Sequence, residues 1–190
     1  MKTYLLFIFI LINAALSEEY HVLKSDSNEV KFISDAPVEN VEGVTDEIDG
    51  YLYFEDGDFT KNSQLYFEVN LNSLDTGIGL RNRHMRENYL ETDKYPLTYY
   101  KGKIVDSTKI NDSEFSVTSD GKISIHGVEK PLTVQAKIYK HDDQFRIKSQ
   151  FDVKLSDFNI KIPSIMFYKI NEDISLKLNF YIKLFESPKQ

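Results

Sequence analysis

A short polar segment, residues 75–96, concentrates the side chains that are best suited to bind a charged group. Arg81, Asn82 and His84 occur there within four positions of one another. A guanidinium group forms paired hydrogen bonds with carboxylate and phosphate, so this segment suits the polar or anionic head of an amphiphile. We predict that Arg81, Asn82 and His84 hold such a head group together with His126. The alternative is a solvated helix whose arginines pair with nearby carboxylates.

The residue types that most enzymes and metal sites require are sparse. The chain contains no Cys, which excludes disulfides, thiolate catalysis and Cys-ligated zinc or iron–sulfur sites. Its histidines never occur as His-x-x-x-His, and no Gly-x-Ser-x-Gly nucleophile elbow is present. We therefore expect a protein that is not an enzyme and that needs no cofactor or metal. An enzyme that uses His84 or His126 as a base is a third hypothesis.

Length and composition predict one domain with the charged surface that is ordinary for a soluble protein. The chain has 190 residues, of which 41% are hydrophobic and 13% aromatic, enough to bury a sizeable core. The formal net charge is −7 and no basic block is present, which argues against a nucleic-acid partner.

The amino terminus has the pattern of a secretory signal peptide. Lys2 precedes an apolar run that extends to Ile12, and small residues follow up to Ser17. The run yields to acidic residues after roughly fourteen positions, whereas a membrane-spanning helix needs about 20, so we expect no membrane span. The predicted organisation is a signal peptide at 1–17 and a single domain at 18–190. Export without any Cys fits a bacterial periplasm, because small secreted eukaryotic domains usually depend on disulfides.

Most of the remaining chain alternates apolar and polar residues with a period of two. This alternation is typical of half-buried antiparallel strands. The clearest examples are residues 65–71, 132–138, 145–155 and 174–184. Turn signals separate the strands at Asp56-Gly57-Asp58, Asn111-Asp112-Ser113, Ser119-Asp120-Gly121 and His141-Asp142-Asp143.

The pattern predicts an all-β fold, an extended eight-stranded antiparallel, lipocalin-like barrel with one or two short helices. Only Leu80–Leu90 and one turn around Ser164–Phe167 have a helical composition. Eight strands in a flat sheet would leave exposed edges, and closure into a barrel removes them. A barrel of this size is filled by side chains or holds one small or elongated ligand.

Apolar residues of the predicted strands are candidates for contact with a lipid tail. They are Phe67, Val69, Phe158, Leu176, Leu178 and Phe180. Plain core packing is the alternative for each of them. The leading hypothesis is a lipid carrier or sequestering protein that catalyses no reaction.

The chain resembles the YceI family of bacterial lipocalin-like, polyisoprenoid-binding-type proteins. The elements that carry the resemblance are Ser34-Asp35-Ala36-Pro37-Val38-Glu39, Thr76-Gly77, Arg81-Asn82-Arg83-His84-Met85, Tyr95-Pro96, Ile125-His126-Gly127-Val128-Glu129-Lys130-Pro131 and Leu155-Ser156-Asp157-Phe158-Asn159-Ile160. The resemblance covers Tyr20 to Leu184 and implies a periplasmic barrel with a long isoprenoid or similar lipid in its bore. Asn82 replaces an Asp that is frequent in the family. Asn159 replaces a frequent Gly and implies a left-handed backbone there.

A second hypothesis places the function on the outer surface of a barrel packed with side chains. Tyr51, Tyr53, Tyr99 and Tyr100 are the aromatic residues that would contact a protein partner in a stress-related periplasmic role. A homodimer is left open, because the long final strand could pair between chains if it lies beside a gap in the barrel.

Overall fold

The computed structural model describes residues 16–35, 40–161, 164–165, 168–169 and 171–186. Of the predicted signal peptide, residues 1–15 lie outside these ranges. The boundary between signal peptide and domain therefore stays a prediction.

The described residues form strands joined by tight turns and by a few short helical segments. The strands are β1 (Ser17–Val22), β2 (Glu29–Ser34), β3 (Val41–Thr45), β4 (Ile48–Glu55), β5 (Gln64–Asn70), β6 (Leu97–Lys109), β7 (Glu114–Ile125), β8 (Val128–His141), β9 (Gln144–Lys154), β10 (Ser164–Ile165), β11 (Tyr168–Lys169) and β12 (Asp173–Leu184). The helical segments are α1 (Gly79–His84), a π-helical turn (Met85–Tyr89) and two 3₁₀ turns (Leu71–Ser73 and Leu155–Phe158).

Eight strands close into an antiparallel barrel, as predicted. The order around the barrel is β1, β4, β5, β6, β7, β8, β9 and β12, and β12 pairs back with β1. β1 and β2 lie one after the other along the same edge of β12, with Val22 opposite Ile182 and Val30 opposite Leu178. β3 pairs with β2 and extends the wall beside β12.

The two ends of the barrel differ in what covers them. At the hairpin end, the turns between β6 and β7 and between β8 and β9 lie with the loop 56–63. At the other end, which we call the cap end, the chain forms α1, the turn at His126 and the 3₁₀ turn Leu155–Phe158. The residues predicted to bind a head group therefore belong to the cap end.

The helix prediction for Leu80–Leu90 is confirmed by α1 and the π-helical turn. Ser164 and Ile165 form β10, which pairs with β11, so the helical turn predicted around Ser164–Phe167 is wrong for these two residues. The other two residues of that prediction lie outside the described ranges. The left-handed backbone at Asn159 is confirmed by its φ of 58°, and it ends the 3₁₀ turn.

The turn predicted at Ser119-Asp120-Gly121 is wrong, because these residues lie inside the continuous strand β7. Gly121 pairs with Gly102 on β6. A Cβ atom on Gly121 would lie 2.4 Å from the carbonyl oxygen of Lys101 and 2.8 Å from the ring of Tyr100. The glycine is needed for close approach of two strands beneath a large ring, and not for a reversal of the chain.

We predict that Gly121→Ala destabilises the protein by about 2–3 kcal/mol, because the added methyl group forces the backbone of β6 or the Tyr100 ring to move. Gly79→Ala is the matched control, since a Cβ there meets nothing within 4 Å. The control should leave stability unchanged or raise it by up to about 1 kcal/mol, as Ala favours helix more than Gly. Urea denaturation measures both, and equal stabilities would contradict the prediction.

The ladder between β8 and β9 is shorter than the strands themselves. It runs from His141 opposite Gln144 only to Ala136 opposite Ser149. Toward the cap end, 128–135 and 150–154 are both within the described chain but are not paired with each other. β12 is paired on both sides, with β9 on one edge and with β1 and β2 on the other. The final strand therefore does not lie beside a gap in the barrel, which was the condition for its pairing between two chains.

Candidate functional site

Aromatic side chains fill the hairpin half of the barrel. Phe59, from the loop after β4, is only 5% exposed and inserts among Phe54, Phe115 and Phe145, with ring centroids 4.7 to 5.5 Å away. Tyr20 stacks on Phe54 and also contacts Phe145. This half of the bore is occupied by the protein's own side chains.

A contact between two phenylalanines crosses the bore near its middle. Phe67 on β5 and Phe180 on β12 belong to strands that are not neighbours in the sheet, yet their ring centroids are 4.9 Å apart in an edge-to-face arrangement. Phe180 is 2% exposed, whereas Phe67 is half-buried and packs on the cluster from the cap side. The pair therefore joins two walls of the barrel that are not neighbours in the sheet.

A second apolar cluster lies at the cap end. Its buried members are Ile123, Phe158 and Ile160. Tyr89 and Leu90, which follow α1, pack against it. This cluster anchors the cap segments to the barrel.

Between the two clusters, the inward-facing apolar side chains are only half-buried. Strand alternation and the register place Tyr100, Leu132, Phe151, Leu176 and Leu178 on the inner face. Phe67, Tyr100 and Leu178 pack against the cluster of the hairpin half, and Tyr100, Leu132 and Phe151 pack against the cap cluster. The cap half of the barrel therefore has an apolar inner face whose side chains are less completely buried than those of the hairpin half.

One polar group reaches into this region. The Tyr100 hydroxyl donates to the backbone carbonyl of Leu132 or Ser119, each at 3.1 Å. Burial raises the pKa of Tyr100 above its ordinary value. Its hydroxyl is satisfied by the wall of the barrel and stays neutral. The prediction that Tyr100 is a surface aromatic is wrong, because its pairing with Phe67 and Ile123 turns the ring inward.

The structure separates the residues predicted to contact a lipid tail into two kinds. Val69, Phe158 and Phe180 are at most 8% exposed and serve as core. Phe67, Leu176 and Leu178 are half-buried on the inner face of the barrel. Contact of any of the six with a lipid stays a prediction.

Three of the residues predicted to bind a head group lie on α1, and they are engaged differently. Asn82 accepts a hydrogen bond from Thr76 and donates to Asp75, which ties α1 to the end of the preceding turn. Arg81 donates to the carbonyl of Thr76 at 2.7 Å. His84 is exposed.

His126 connects the turn after β7 to two other cap segments. Its Nδ1 donates to the carbonyl of Phe158 at 3.1 Å, and its Nε2 lies 3.0 Å from the carboxylate of Glu91. Tyr95 packs edge-to-face on the imidazole with centroids 4.6 Å apart. The described position of His126 is thus structural, and its role toward a head group stays a prediction.

Glu91 was not found by sequence reasoning, because its partner is 35 positions away in the chain. It accepts hydrogen bonds from Lys94 at 2.7 Å and from His126. Its backbone φ of 45° lies in the left-handed region and aims the carboxylate back at the β7–β8 turn. Glutamate, unlike asparagine, has no preference for the left-handed region, so the sequence carries no signal for this conformation at Glu91.

Hydrogen bonds from Lys94 and then from His126 hold the pKa of Glu91 below its ordinary value. A carboxylate with a lowered pKa stabilises the fold above its unfolded-state pKa and loses that contribution as the pH falls through the folded value. We predict that Glu91→Gln lowers Tm at pH 6–7 and that the difference from wild type shrinks and then disappears as the pH falls below the unfolded-state pKa of glutamate, about 4.3. Thermal denaturation over this pH range measures it. Glu87→Gln is the control, because the exposed Glu87 has no hydrogen-bond partner in the described chain. A difference in Tm between Glu91→Gln and wild type that does not change with pH would refute the prediction.

The outer face carries a row of aromatic rings across neighbouring strands. Tyr51, Tyr66 and Tyr99 follow one another with centroids 6.5 and 5.6 Å apart. Beside Tyr51 a groove of about 870 Å³ opens, and Tyr53, Glu19 and other polar side chains line it. Tyr51, Tyr53 and Tyr99, as predicted, lie on the outside of the barrel, where they are half-buried.

Within the described ranges, no three His, Asp or Glu side chains converge as metal ligands would. No helix in the same part of the chain is long and apolar enough to cross a bilayer.

Comparison with known proteins supports the assignment of the fold to a family. A family model described as "YceI-like domain" matches residues 20–182. "Protein YceI" of Shigella flexneri is 32% identical over 119 residues, which cover 56% of this chain and 60% of that protein. "Protein YceI" of Salmonella arizonae is 27% identical over 125 residues, 62% of each chain. The chain therefore aligns with about three fifths of the length of these relatives.

Solved structures share the fold at low sequence identity. BcnA of Burkholderia cenocepacia superposes with a TM-score of 0.67 at 15% identity, covering 81% of this chain and 95% of its own. A polyisoprenoid binding domain from Saccharophagus degradans gives the same TM-score and identity over 87% and 98%. The YCEI protein of Campylobacter jejuni gives 0.60 at 21% identity over 79% and 88%. The closed barrel, its capped end and the match over residues 20–182 place this chain in the YceI family.

Proposed function

We propose that this protein binds a long-chain amphiphile, a polyisoprenoid or related lipid, in the cap half of its barrel, in the periplasm and without catalysing a reaction. The observation that carries the proposal is the set of half-buried apolar side chains between the two packed clusters. Phe67, Leu132, Phe151, Leu176 and Leu178 present partly exposed apolar surface on the inner face, which a hydrocarbon chain can contact. Apolar concave sites with few polar groups are typical of small-molecule binding.

Two further features support this reading. One is the shortened ladder between β8 and β9, which leaves the two strands unpaired next to Leu132 and Phe151, so that they can separate there without breaking ladder hydrogen bonds. The other is the structural similarity to the domain from Saccharophagus degradans, which is described as polyisoprenoid-binding. A chain longer than the cap half of the bore could leave the barrel where these strands separate.

Native mass spectrometry of the exported protein, purified from its own periplasm without detergent, tests the proposal. A stoichiometric adduct that extracts into organic solvent as one long-chain species is the expected result, and lipid analysis then identifies it. A bare mass in repeated preparations, together with no uptake of added isoprenoid, would refute it. Recovery of the protein from the periplasmic fraction tests the location separately.

The groove beside Tyr51 supports a second candidate function, which is contact with a protein partner through the outer face. Tyrosine is enriched at protein interfaces because its ring is large and its hydroxyl forms hydrogen bonds. Tyr53 and Glu55 are already joined by a 3.0 Å hydrogen bond, which orients the ring in the groove. A bare mass in the native spectrum would favour this function over lipid binding.

A further inference from the structure

The cap end presents an apolar surface beside a concentrated positive charge, which we call the Leu80 patch. It consists of Ile78, Leu80, Arg83 and His84. Leu80 is 56% exposed and Ile78 is 49% exposed, and Arg83 and His84 are exposed as well. Leu80, Arg83 and His84 share one face of α1 through their i, i+3, i+4 spacing, and Ile78 immediately precedes the helix.

None of the six residues of α1 is buried, and neither is any residue of the π-helical turn that follows it. Short helices are marginal in water unless an apolar face packs on something. The apolar residues at its start point away from the barrel, and Tyr89 and Leu90 of the next turn make the packing contacts instead. Core formation therefore does not explain Ile78 and Leu80.

The charge at this surface is opposite to that of the whole protein. Three of the four arginines of the chain lie between positions 81 and 86, and no carboxylate lies between Thr76 and Arg86, whereas the formal net charge is −7. Two acidic residues flank this stretch. Asp75 is engaged by Asn82 and by the amide of Gly77, and Glu87 lies one turn beyond His84. Arg83 has no side-chain partner in the described chain, so its guanidinium is available to a phosphate.

We propose that the Leu80 patch docks the protein on the surface of a bilayer that contains anionic lipid. Ile78 and Leu80 enter the headgroup region while Arg83 contacts lipid phosphates. The acidic remainder of the molecule is repelled by the same surface, so the cap end faces the membrane. The cap half of the bore lies at that end, and the use of docking for cargo exchange rests on the proposed lipid-binding function.

Co-sedimentation of the exported protein with vesicles tests the docking itself. Vesicles made from equal parts of phosphatidylglycerol and phosphatidylcholine should retain the protein at low salt, and pure phosphatidylcholine should not. Raising the salt concentration should release it, because exposed charges are screened. Failure to bind the mixed vesicles overturns the inference.

Two variants and two matched controls assign the binding to the patch. Leu80→Ser should weaken binding at least about tenfold, because the apolar side chain no longer enters the bilayer. Arg83→Gln should weaken it about fivefold, which corresponds to ~1 kcal/mol. Ile110→Ser, at a side chain 55% exposed in the β6–β7 turn, and Lys140→Gln should change nothing. Equal binding of patch and control variants would overturn the assignment.

The lipid adduct separates this inference from the proposed function. Leu80→Ser should keep the same adduct in native mass spectrometry while losing vesicle binding. An adduct without vesicle binding in the wild type refutes docking alone. Vesicle binding by a protein that carries no lipid in any preparation refutes the proposed function alone.

Discussion

Leu178→Arg is expected to abolish the lipid that co-purifies with the protein. Leu178 lies on the inner face of β12, half-buried, beside the contact between Phe67 and Phe180. A guanidinium group there is costly to transfer out of water and occupies the space that a hydrocarbon chain needs. We expect less than about a tenth of the wild-type lipid content, by extraction and mass spectrometry, because the lost apolar contact and the charge act together.

The Leu178→Arg variant is informative only if it folds, so two further variants are measured beside it. Leu178→Ala keeps the bore apolar and should reduce the lipid content without abolishing it. Gln150→Arg places the same group on the outer face of β9 and should alter neither the fold nor the lipid. Circular dichroism checks the fold of each. Full lipid content in a folded Leu178→Arg protein would show that the bore is not the binding site.

Phe180→Ala is expected to cause the largest loss of stability, about 3–5 kcal/mol. The Phe180 ring is 2% exposed and is held by Phe67 from across the barrel. Removing it leaves a cavity between strands that the closed sheet cannot collapse to fill. Urea denaturation of the wild type and the variant measures the difference.

Phe185→Ala is the matched control for that prediction. Phe185 is 50% exposed, just after β12, and stacks on His21 with centroids 4.6 Å apart. Loss of an exposed aromatic contact should cost no more than about 1 kcal/mol. Similar losses for the two variants would mean that Phe180 does not support the middle of the barrel.

The strands and the closure of the barrel could be predicted from the sequence because a period of two is a local property. The alternation in residues 174–184 gives β12 almost to the residue, and the composition of Leu80–Leu90 gives the helical cap. The error at Gly121 has a physical cause. Glycine is used both in turns and where two backbones approach closely, and one sequence does not distinguish these uses.

The sequence predicted which kind of residue lines the proposed binding region, but it did not predict where in the barrel that region lies. Apolar residues at alternating positions face the interior, so Leu176, Leu178 and Phe180 could be named from their spacing. The spacing is the same for all three and gives no information on which of them a neighbouring ring covers. The contact between Phe67 and Phe180 joins residues that are 113 positions apart, and it is this contact that joins two walls of the barrel.

By itself, the sequence determined that this protein is an antiparallel barrel with a polar, arginine-rich cap and without cysteine chemistry, because periodicity and composition act locally. The tertiary structure alone decided which half of the barrel is more completely buried, where the ladder between β8 and β9 ends, and that His126 is held by Glu91 and Phe158. It also decided that Ile78 and Leu80 face solvent. These features depend on contacts between distant segments, which form only once the barrel has closed.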